Sequence, residues 1–414
     1  MAHASIRRYP DLSLRTVGIA LAPVLLCAQA ACAAARDGDA APAFRDATAT
    51  HVPAAPDLHA LDAALLDVDG DGDLDVVLAV EGDANRLYLN DGKARLSWKR
   101  GAFGDASHDT EHVRTADFDR DGHADVVFVA EDDHAHQLFL GDGKGGFTDA
   151  SARLPARSEG NGLAVGDVDG DGLPDIVVGN SGEAGQDFLW LNDPKRPGHF
   201  IDATKSHLPR ANDATQGLAL ADLDGDGDLD LVVANEVPPN RLLLNDGNGR
   251  FADASSRLDL PVPLHSREAH VFDANGDGRP DILFLNLTSN AGRHERDPQA
   301  RLLVQDARGR FVDETATRLP KHAFSAWGGA VVDADGDGDL DLVVGAIAVP
   351  GFEPLQARLW INDGKGGFRD ATAAAMPSQT VGRSWSMAVG DLDGDGRDDV
   401  FIGGWGTQAR LLLR

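Results

Sequence analysis

Short apolar runs rich in Val, Leu and Ile recur along the chain, each bounded by clusters of Asp, Gly and Asn. Leu163-Ala164-Val165 and Ile176-Val177-Val178 form one such pair, with an acidic loop between them. Runs this short, β-branched and flanked by turn formers predict strands, not helices. A third run follows, as in Arg241-Leu242-Leu243-Leu244 or Arg358-Leu359-Trp360-Ile361. It ends in an Asn/Gly turn such as Asn245-Asp246-Gly247-Asn248-Gly249, a strong hairpin signal. The fourth run carries F-x-D-[AE]-[ST], as in Phe251-Ala252-Asp253-Ala254-Ser255. The predicted unit is a four-stranded antiparallel sheet of about 50–60 residues, the size of a β-propeller blade.

The acidic loops share the pattern D-x-[DN]-x-D-G-x-x-D, which occurs seven times, and F-x-D-[AE]-[ST] also occurs seven times. The two series are out of phase. Phe44-Arg45-Asp46-Ala47-Thr48 precedes any acidic loop, and the last repeat stops at Leu411-Leu412-Leu413-Arg414 without a fourth strand. The N-terminal strand is therefore expected to complete the C-terminal blade, closing the ring and leaving no open sheet edge. The expectation is an all-β, closed seven-bladed β-propeller of four-stranded antiparallel blades over residues 42–414.

Clustered carboxylates beside an obligatory glycine are hard-cation chemistry, and a loop with side chains at alternate positions can wrap one ion. Positions 1, 3, 5, 7 and 9 are Asp67, Asp69, Asp71, Asp73 and Asp75 in the first loop, and Asp117, Asp119, Asp121, His123 and Asp125 in the second. They are Asp167, Asp169, Asp171, Leu173 and Asp175 in the third, and Asp222, Asp224, Asp226, Asp228 and Asp230 in the fourth. The fifth has Asp273, Asn275, Asp277, Arg279 and Asp281, and the sixth Asp333, Asp335, Asp337, Asp339 and Asp341. The seventh has Asp391, Asp393, Asp395, Arg397 and Asp399. Positions 1, 3, 5 and 9 would supply side-chain oxygens and position 7 its backbone carbonyl, with Asp73, Asp228 and Asp339 left as solvated extra carboxylates. Gly172 and its equivalents at position 6 permit the positive φ at which the chain reverses. Asn275 keeps an oxygen but removes a charge, and Arg120 and His123 lower the field of the second loop. An EF-hand would need flanking helices and a Glu at position 12, and neither is present. Metal-free Asp-Gly turns would leave four carboxylates repelling one another. The reading is up to seven structural Ca²⁺ ions.

The repeats, as in Trp327-Gly328-Gly329-Ala330-Val331-Val332-Asp333-Ala334-Asp335-Gly336-Asp337-Gly338-Asp339-Leu340-Asp341, resemble the FG-GAP or VCBS-type repeats of bacterial secreted proteins and integrin α-subunit propellers. The resemblance covers about residues 42–414. It implies the same ligand assignment, in the loop between the first two strands of each blade, and says little about function.

The formal charge is −29, and the seven loops hold much of it. Seven divalent ions would bring it to about −15, so the acidity reads as a metal-site signature. With no basic stripe to neutralise phosphates, nucleic acid is excluded as a partner. Arg7, Arg8 and Arg15 before the apolar run Val17–Leu26 predict a signal peptide over 1–35 and a linker over 36–41. Secretion or a periplasmic location follows, and no segment is apolar enough for a transmembrane span. Both cysteines, Cys27 and Cys32, fall in the signal, so the mature domain is expected to be cysteine-free. Cys32 offers an alternative, a lipid-anchored lipoprotein, although the expected leucine three positions earlier is absent. A monomer is expected.

On the face opposite the loops, residues just before the first strands vary most: His59 and Asp62; Glu111, His112 and Arg114; Glu159 and Asn161; Gln216; Arg267, Glu268 and His270; Trp327; Arg383 and Trp385. Convergence around the axis would make these the ligand-binding set, where propellers usually bind. Trp327 and Trp385 read most simply as channel packing, with a platform for a sugar ring as the alternative, and the histidines as exposed surface. Repeat spacing also grows in Asn286–Ala300 and Ala346–Ala357, as binding-face insertions do. No Ser-His-Asp order, zinc spacing, phosphate loop or nucleophile elbow is present. Two functions follow: a non-catalytic extracellular module for a protein or glycan, or a lyase-like polysaccharide-processing enzyme. A lyase would draw its base and its carboxylate-neutralising cation from His112, Arg114, Arg267 and His270, with Tyr88 as the only mature tyrosine.

Overall fold

In the third repeat the apolar runs become Gly160–Gly166, Asp175–Asn180, Phe188–Asn192 and Phe200–Asp202, one antiparallel four-stranded sheet. Its register sets Leu163 opposite Val178, Val177 opposite Leu189 and Leu191 opposite Ile201. Asp175–Asn180 is buried along its whole length, so both of its faces are apolar and the strand reads as a continuous hydrophobic run. The computed structural model describes residues 43–155, 158–182, 185–237, 239–260, 264–287, 298–348 and 353–414. The signal, linker and Cys32 readings lie outside these residues, as do parts of both long insertions. No helix among the described residues is long and apolar enough to cross a membrane.

The sheets pack on one another in sequence order. Phe118, Val127 and Val129 of the second repeat share a cluster with Leu163, Ile176 and Trp190 of the third. In the same way Val76, Leu78 and Tyr88 of the first repeat pack with Phe401, Leu411 and Leu413 of the last. Each aliphatic side chain so buried contributes roughly 1.5–3 kcal/mol. The out-of-phase N-terminal strand, Arg45–Asp46, pairs with Arg410–Leu413, setting Arg45 opposite Leu413. It is the outer strand of the sheet that also holds Ser384–Gly390 and Asp399–Gly404.

In five of the seven repeats a side-chain amide at the end of the third strand ties the repeat to the acidic loop of its neighbour. Asn192 Nδ2 donates to the Phe118 carbonyl at 2.9 Å, Asn245 to Val168 at 2.7 Å, Gln305 to Leu223 at 2.5 Å and Asn362 to Ala274 at 2.9 Å. Asn90 does the same to Leu392, in the loop of the last repeat, at 2.8 Å. Gly141 takes this place in the second repeat and has no side chain, but the Gly145 amide nearby donates to the Val68 carbonyl at 2.8 Å. In the seventh, Arg414 Nη1 donates to the Asp333 carbonyl.

The F-x-D-[AE]-[ST] segment proves to be an edge terminator. Asp202 Oδ1 accepts the Thr204 amide at 3.0 Å, and Thr204 Oγ1 accepts the Leu189 amide of the third strand at 3.1 Å. Thr48 and Thr372 do the same for Leu411 and Leu359. Phe103 departs from the expectation. Its repeat takes Ser97–Lys99 as fourth strand, and Phe103 instead packs among Phe128, Phe139 and Phe147. The first two repeats are also joined, because Glu81 pairs with Asp109 across strands Asp75–Asp83 and His108–Ala116.

Candidate metal centres and the inner-strand bulges

In each acidic loop the carboxylates first hold the backbone in shape. Asp167 accepts the Gly170 and Gly172 amides, each at 2.8 Å, and Asp171 accepts the Leu173 amide at 2.9 Å. Gly172 has φ +82°, as expected, and Gly170 at position 4 has φ +75°. Only the second loop has a side chain at position 4, where Arg120 is held at φ +61°. Its guanidinium reaches across to the Asp171 and Gly172 carbonyls of the next loop.

The ninth position is the keystone. Asp175 is buried, accepting Val168 N at 2.9 Å and Asn192 N at 2.8 Å, so it joins the loop to the end of the third strand. All seven repeats use this bridge, through Asp75, Asp125, Asp175, Asp230, Asp281, Asp341 and Asp399. Burial pushes these carboxyls up, to about 7 for Asp175 and about 6 for Asp75 and Asp399, while the amides pull down and neighbouring aspartates push up. Such groups favour a nearby positive charge.

The remaining oxygens converge. One oxygen each of Asp67, Asp69 and Asp71 lie within 4.8 Å of one another, as do those of Asp117, Asp119 and Asp125, of Asp167, Asp169 and Asp175, and of Asp222, Asp224 and Asp230. Asp69 Oδ1, Asp119 Oδ1 and Asp393 Oδ1, all at position 3, are shielded from water and have no hydrogen-bond donor. A shielded carboxylate oxygen without a donor is costly unless a cation supplies the missing partner. The carboxylates that converge in these loops therefore fit a hard divalent cation.

Position 7 corrects one expectation. Asp73, Asp228 and Asp339 are not simply solvated extras, because the hairpin turn of the same repeat folds against them. A Cβ on Gly92, Gly247 or Gly364 would stand 2.4, 2.4 or 2.3 Å from their carboxylate oxygens. Arg279 and Arg397 turn back onto Asp277 and Asp395, partly neutralising position 5 of their own loops.

The variable residues on the inner strands form a register. The ladder shifts between Ala60 and Asp62, Thr110 and His112, Gly160 and Gly162, Thr215 and Gly217, and Ser266 and Glu268. The bulged residues are Leu61, Glu111, Asn161, Gln216 and Arg267, and Trp385 lies in the shift between Ser384 and Met387. A bulge re-aims its side chain. Each of these, and Trp327, stands six residues before the first Asp of its loop. Arg267 donates to Gln216 Oε1, lies 3.4 Å from Glu111 Oε2 and sits 5.2 Å from the Trp385 ring. Trp385 meets Trp327 edge-on at 3.9 Å between centroids. Residues from the second, fourth, fifth, sixth and seventh repeats are thus brought together.

Of the twelve candidate ligand residues, Asp62, Glu111, His112, Asn161, Gln216, Arg267, Trp327 and Trp385 are buried and partnered with other protein groups or rings, not spread on an open surface. The His112 imidazole is buried, contrary to the expectation of exposed histidines: Nδ1 faces Asp62 Oδ2 at 3.0 Å and Nε2 the Asn161 carbonyl at 3.2 Å. Burial would raise the Asp62 carboxyl, but Arg114, His112 and the Val113 amide hold it well below the usual carboxylate range. Burial pushes Glu111 up despite Arg267, with Glu131, Glu81 and Asp109 adding to the push. Arg114, Glu268 and His270 remain partly accessible, and Arg383 sits over the Trp405 ring.

Sequence reasoning missed a second register. Glu81, Glu131, Ser181, Glu236, Leu287, Ile347 and Trp405 each stand six residues after the ninth-position Asp. Glu131 Oε1 accepts Asn161 Nδ2 at 2.5 Å and Ser181 Oγ at 3.0 Å, and Trp405 Nε1 donates to Glu81 at 2.5 Å. The constant offset was the signal that could have found them.

The fold and the loops define a class: an all-β repeat domain with an acidic, cation-suited loop in each repeat. The FG-GAP-like repeat family matches residues 67–128, 126–178, 167–233, 222–284 and 350–402, more than half of the chain, and the chain belongs to that family. Cartilage acidic protein 1 of Xenopus tropicalis is 31% identical over 233 residues, 54% of this chain and 33% of the relative. The human protein of that name is 32% identical over 205 residues, 47% of this chain and 29% of the relative. Integrin alpha pat-2 of Caenorhabditis briggsae is 28% identical over 231 residues, 47% of this chain and 18% of the relative. The chain thus spans a third or less of the length of these curated relatives. Among solved structures, BBS1N, crystallised in complex with ARL6DN and soaked with lead, matches at 10% identity and a TM-score of 0.54, over 90% of this chain and 98% of that one. That likeness concerns the fold alone.

Proposed function

We propose that this chain is a secreted or periplasmic, calcium-clipped, closed seven-bladed β-propeller that acts as a non-catalytic binding module for an extracellular protein or glycan. Closure is supported by the pairing of Arg45–Asp46 with Arg410–Leu413 and by the Asn90–Leu392 bond, which repeats between first and last repeats what Asn245–Val168 does between neighbours. Calcium is supported by the donor-less position-3 oxygens and the bridged carboxylates at position 9. The signal peptide over 1–35, the linker over 36–41, the lipoprotein alternative at Cys32 and a monomeric state belong to the same reading.

One observation carries the choice of binding over lyase chemistry: three of the groups a lyase would need, His112, Arg267 and Tyr88, are buried and engaged within the fold. His112 lies between Asp62 and the Asn161 carbonyl, and Arg267 between Glu111 and Gln216. Tyr88 is buried beneath Arg86. A general base needs reach to a substrate proton, and these side chains are turned to protein partners. The test is a glycan array and a pull-down from extracellular fluid, each with calcium and with chelator. Calcium-dependent capture without product formation is the expected result, and depolymerisation of a uronic-acid polymer would overturn it.

A further inference from the structure

Between the inner-strand bulges and the acidic loops lies a cavity of about 320 Å³. Asp62, Arg114, Glu268, His270 and Met387 line it, drawn from inner strands of the first, second, fifth and seventh repeats. It reaches Leu65, Thr115 and Val389, each two residues short of its loop. Its far wall is formed by Asp62 and Glu268, each next in sequence to a bulged residue, Leu61 or Arg267, whose side chain is buried. The volume is at the lower end of small-molecule sites.

The charges in this cavity are matched within its walls. Asp62 takes donors from His112, Val113 and Arg114 Nη1, and Glu268 Oε2 takes His270 Nε2 and the Gly329 amide, each at 3.0 Å. Each carboxylate has its donors within the walls, and the one arginine is paired with Asp62, so no unpaired cation is left for an anionic ligand to meet. What remains is hydrogen-bonding capacity: the Arg114 side chain is 38% exposed with N–H groups to spare, and Glu268 has a second oxygen. Met387, Val389 and Leu65 add an apolar wall. Donors and acceptors side by side against an aliphatic surface suit a ligand whose hydroxyls both donate and accept and whose C–H face is apolar.

We propose that this axial cavity binds one neutral sugar residue, the end of a glycan chain, with Arg114 donating to and Glu268 accepting from neighbouring hydroxyls. A site with this wall across one end takes a chain terminus and not an internal segment. The inference rests on the binding-module reading and names its ligand class.

The test uses the full calcium-loaded chain on a glycan array, followed by titration calorimetry with the free neutral monosaccharides of any bound glycan. Arg114→Gln and Glu268→Gln are expected to weaken binding at least tenfold, and Met387→Phe, which narrows the cavity without touching a charge, to do the same. Met387→Phe keeps the test alive if a polar variant misfolds, and melting in calcium reports that. Glycan capture unchanged in all three variants overturns the axial site while leaving the module reading intact. Absence of any glycan capture by the parent chain overturns the sugar proposal and leaves the module reading to protein partners.

Discussion

Asn90 Nδ2 donates to the Leu392 carbonyl at 2.8 Å although 302 residues separate the two. The bond has the same donor and acceptor positions as Asn245 to Val168 between consecutive repeats. In an open array the end repeats fray, because each contacts only one neighbour. In a ring the first and last repeats are neighbours like any others. Asn90→Ala is therefore expected to cost as much as Asn245→Ala, about 1–2 kcal/mol for a lost buried hydrogen bond. Urea unfolding checks the pair, and a much smaller effect at Asn90 would contradict closure.

Removing divalent cations should destabilise the domain. A ligand at hundredfold excess over its dissociation constant stabilises by about 2.7 kcal/mol per site, so chelation is expected to lower the melting temperature by many degrees. Asp167→Ala removes a ligand and leaves the Gly170 and Gly172 amides without their acceptor. Its melting temperature should fall in calcium and fall less in chelator.

Arg397 pairs with Asp395 and Arg279 with Asp277, and each would compete with a cation bound in its loop. The third loop carries Leu173 at the equivalent position. Arg397→Leu is expected to tighten calcium binding in the seventh loop roughly three- to tenfold, since 1.4 kcal/mol is a factor of ten. Calorimetry on the variant and parent would show one class of sites shifting while the others stay.

Asp187 is buried and accepts the Asn180 amide at 3.0 Å, a task that Asn85 performs for Val80 and Asn240 for Asn235. Burial pushes its carboxyl up to about 7, against the pull of the Asn180 amide. A carboxyl raised on folding binds more protons in the folded state, so its stabilising contribution is present below the ordinary value of 3.8 and lost as pH rises towards 7. Asp187→Asn should therefore match the parent at pH 4 and exceed it by on the order of 2 kcal/mol at pH 8. Equal melting temperatures at both pH values would contradict the account.

Much of the fold was legible because its signals are local. The alternation of apolar runs and acidic loops marks strands and turns wherever it occurs, and the phase of Phe44 against Asp67 indicated that the N-terminal strand joins the last sheet, where Arg45 stands opposite Leu413. Phe103 misled because its motif matches the edge terminator while Ser97–Lys99, without that motif, supplies the strand. The acidic loops were legible for the same reason, except at position 7, where the packing of Asp73 on Gly92 depends on a turn nineteen residues on.

By itself the sequence determined the repeated alternation of strands and turns, the number of acidic loops and the carboxylate set of each loop, since spacing within a few residues dictates turn geometry. It also placed Glu111 and Arg267 at matching register. Only the tertiary structure decided that these two, 156 residues apart, approach within 3.4 Å, and that Glu111 is buried there and not free for a partner. The state of a charge depends on which distant groups surround it in a dry interior, and no local pattern encodes that.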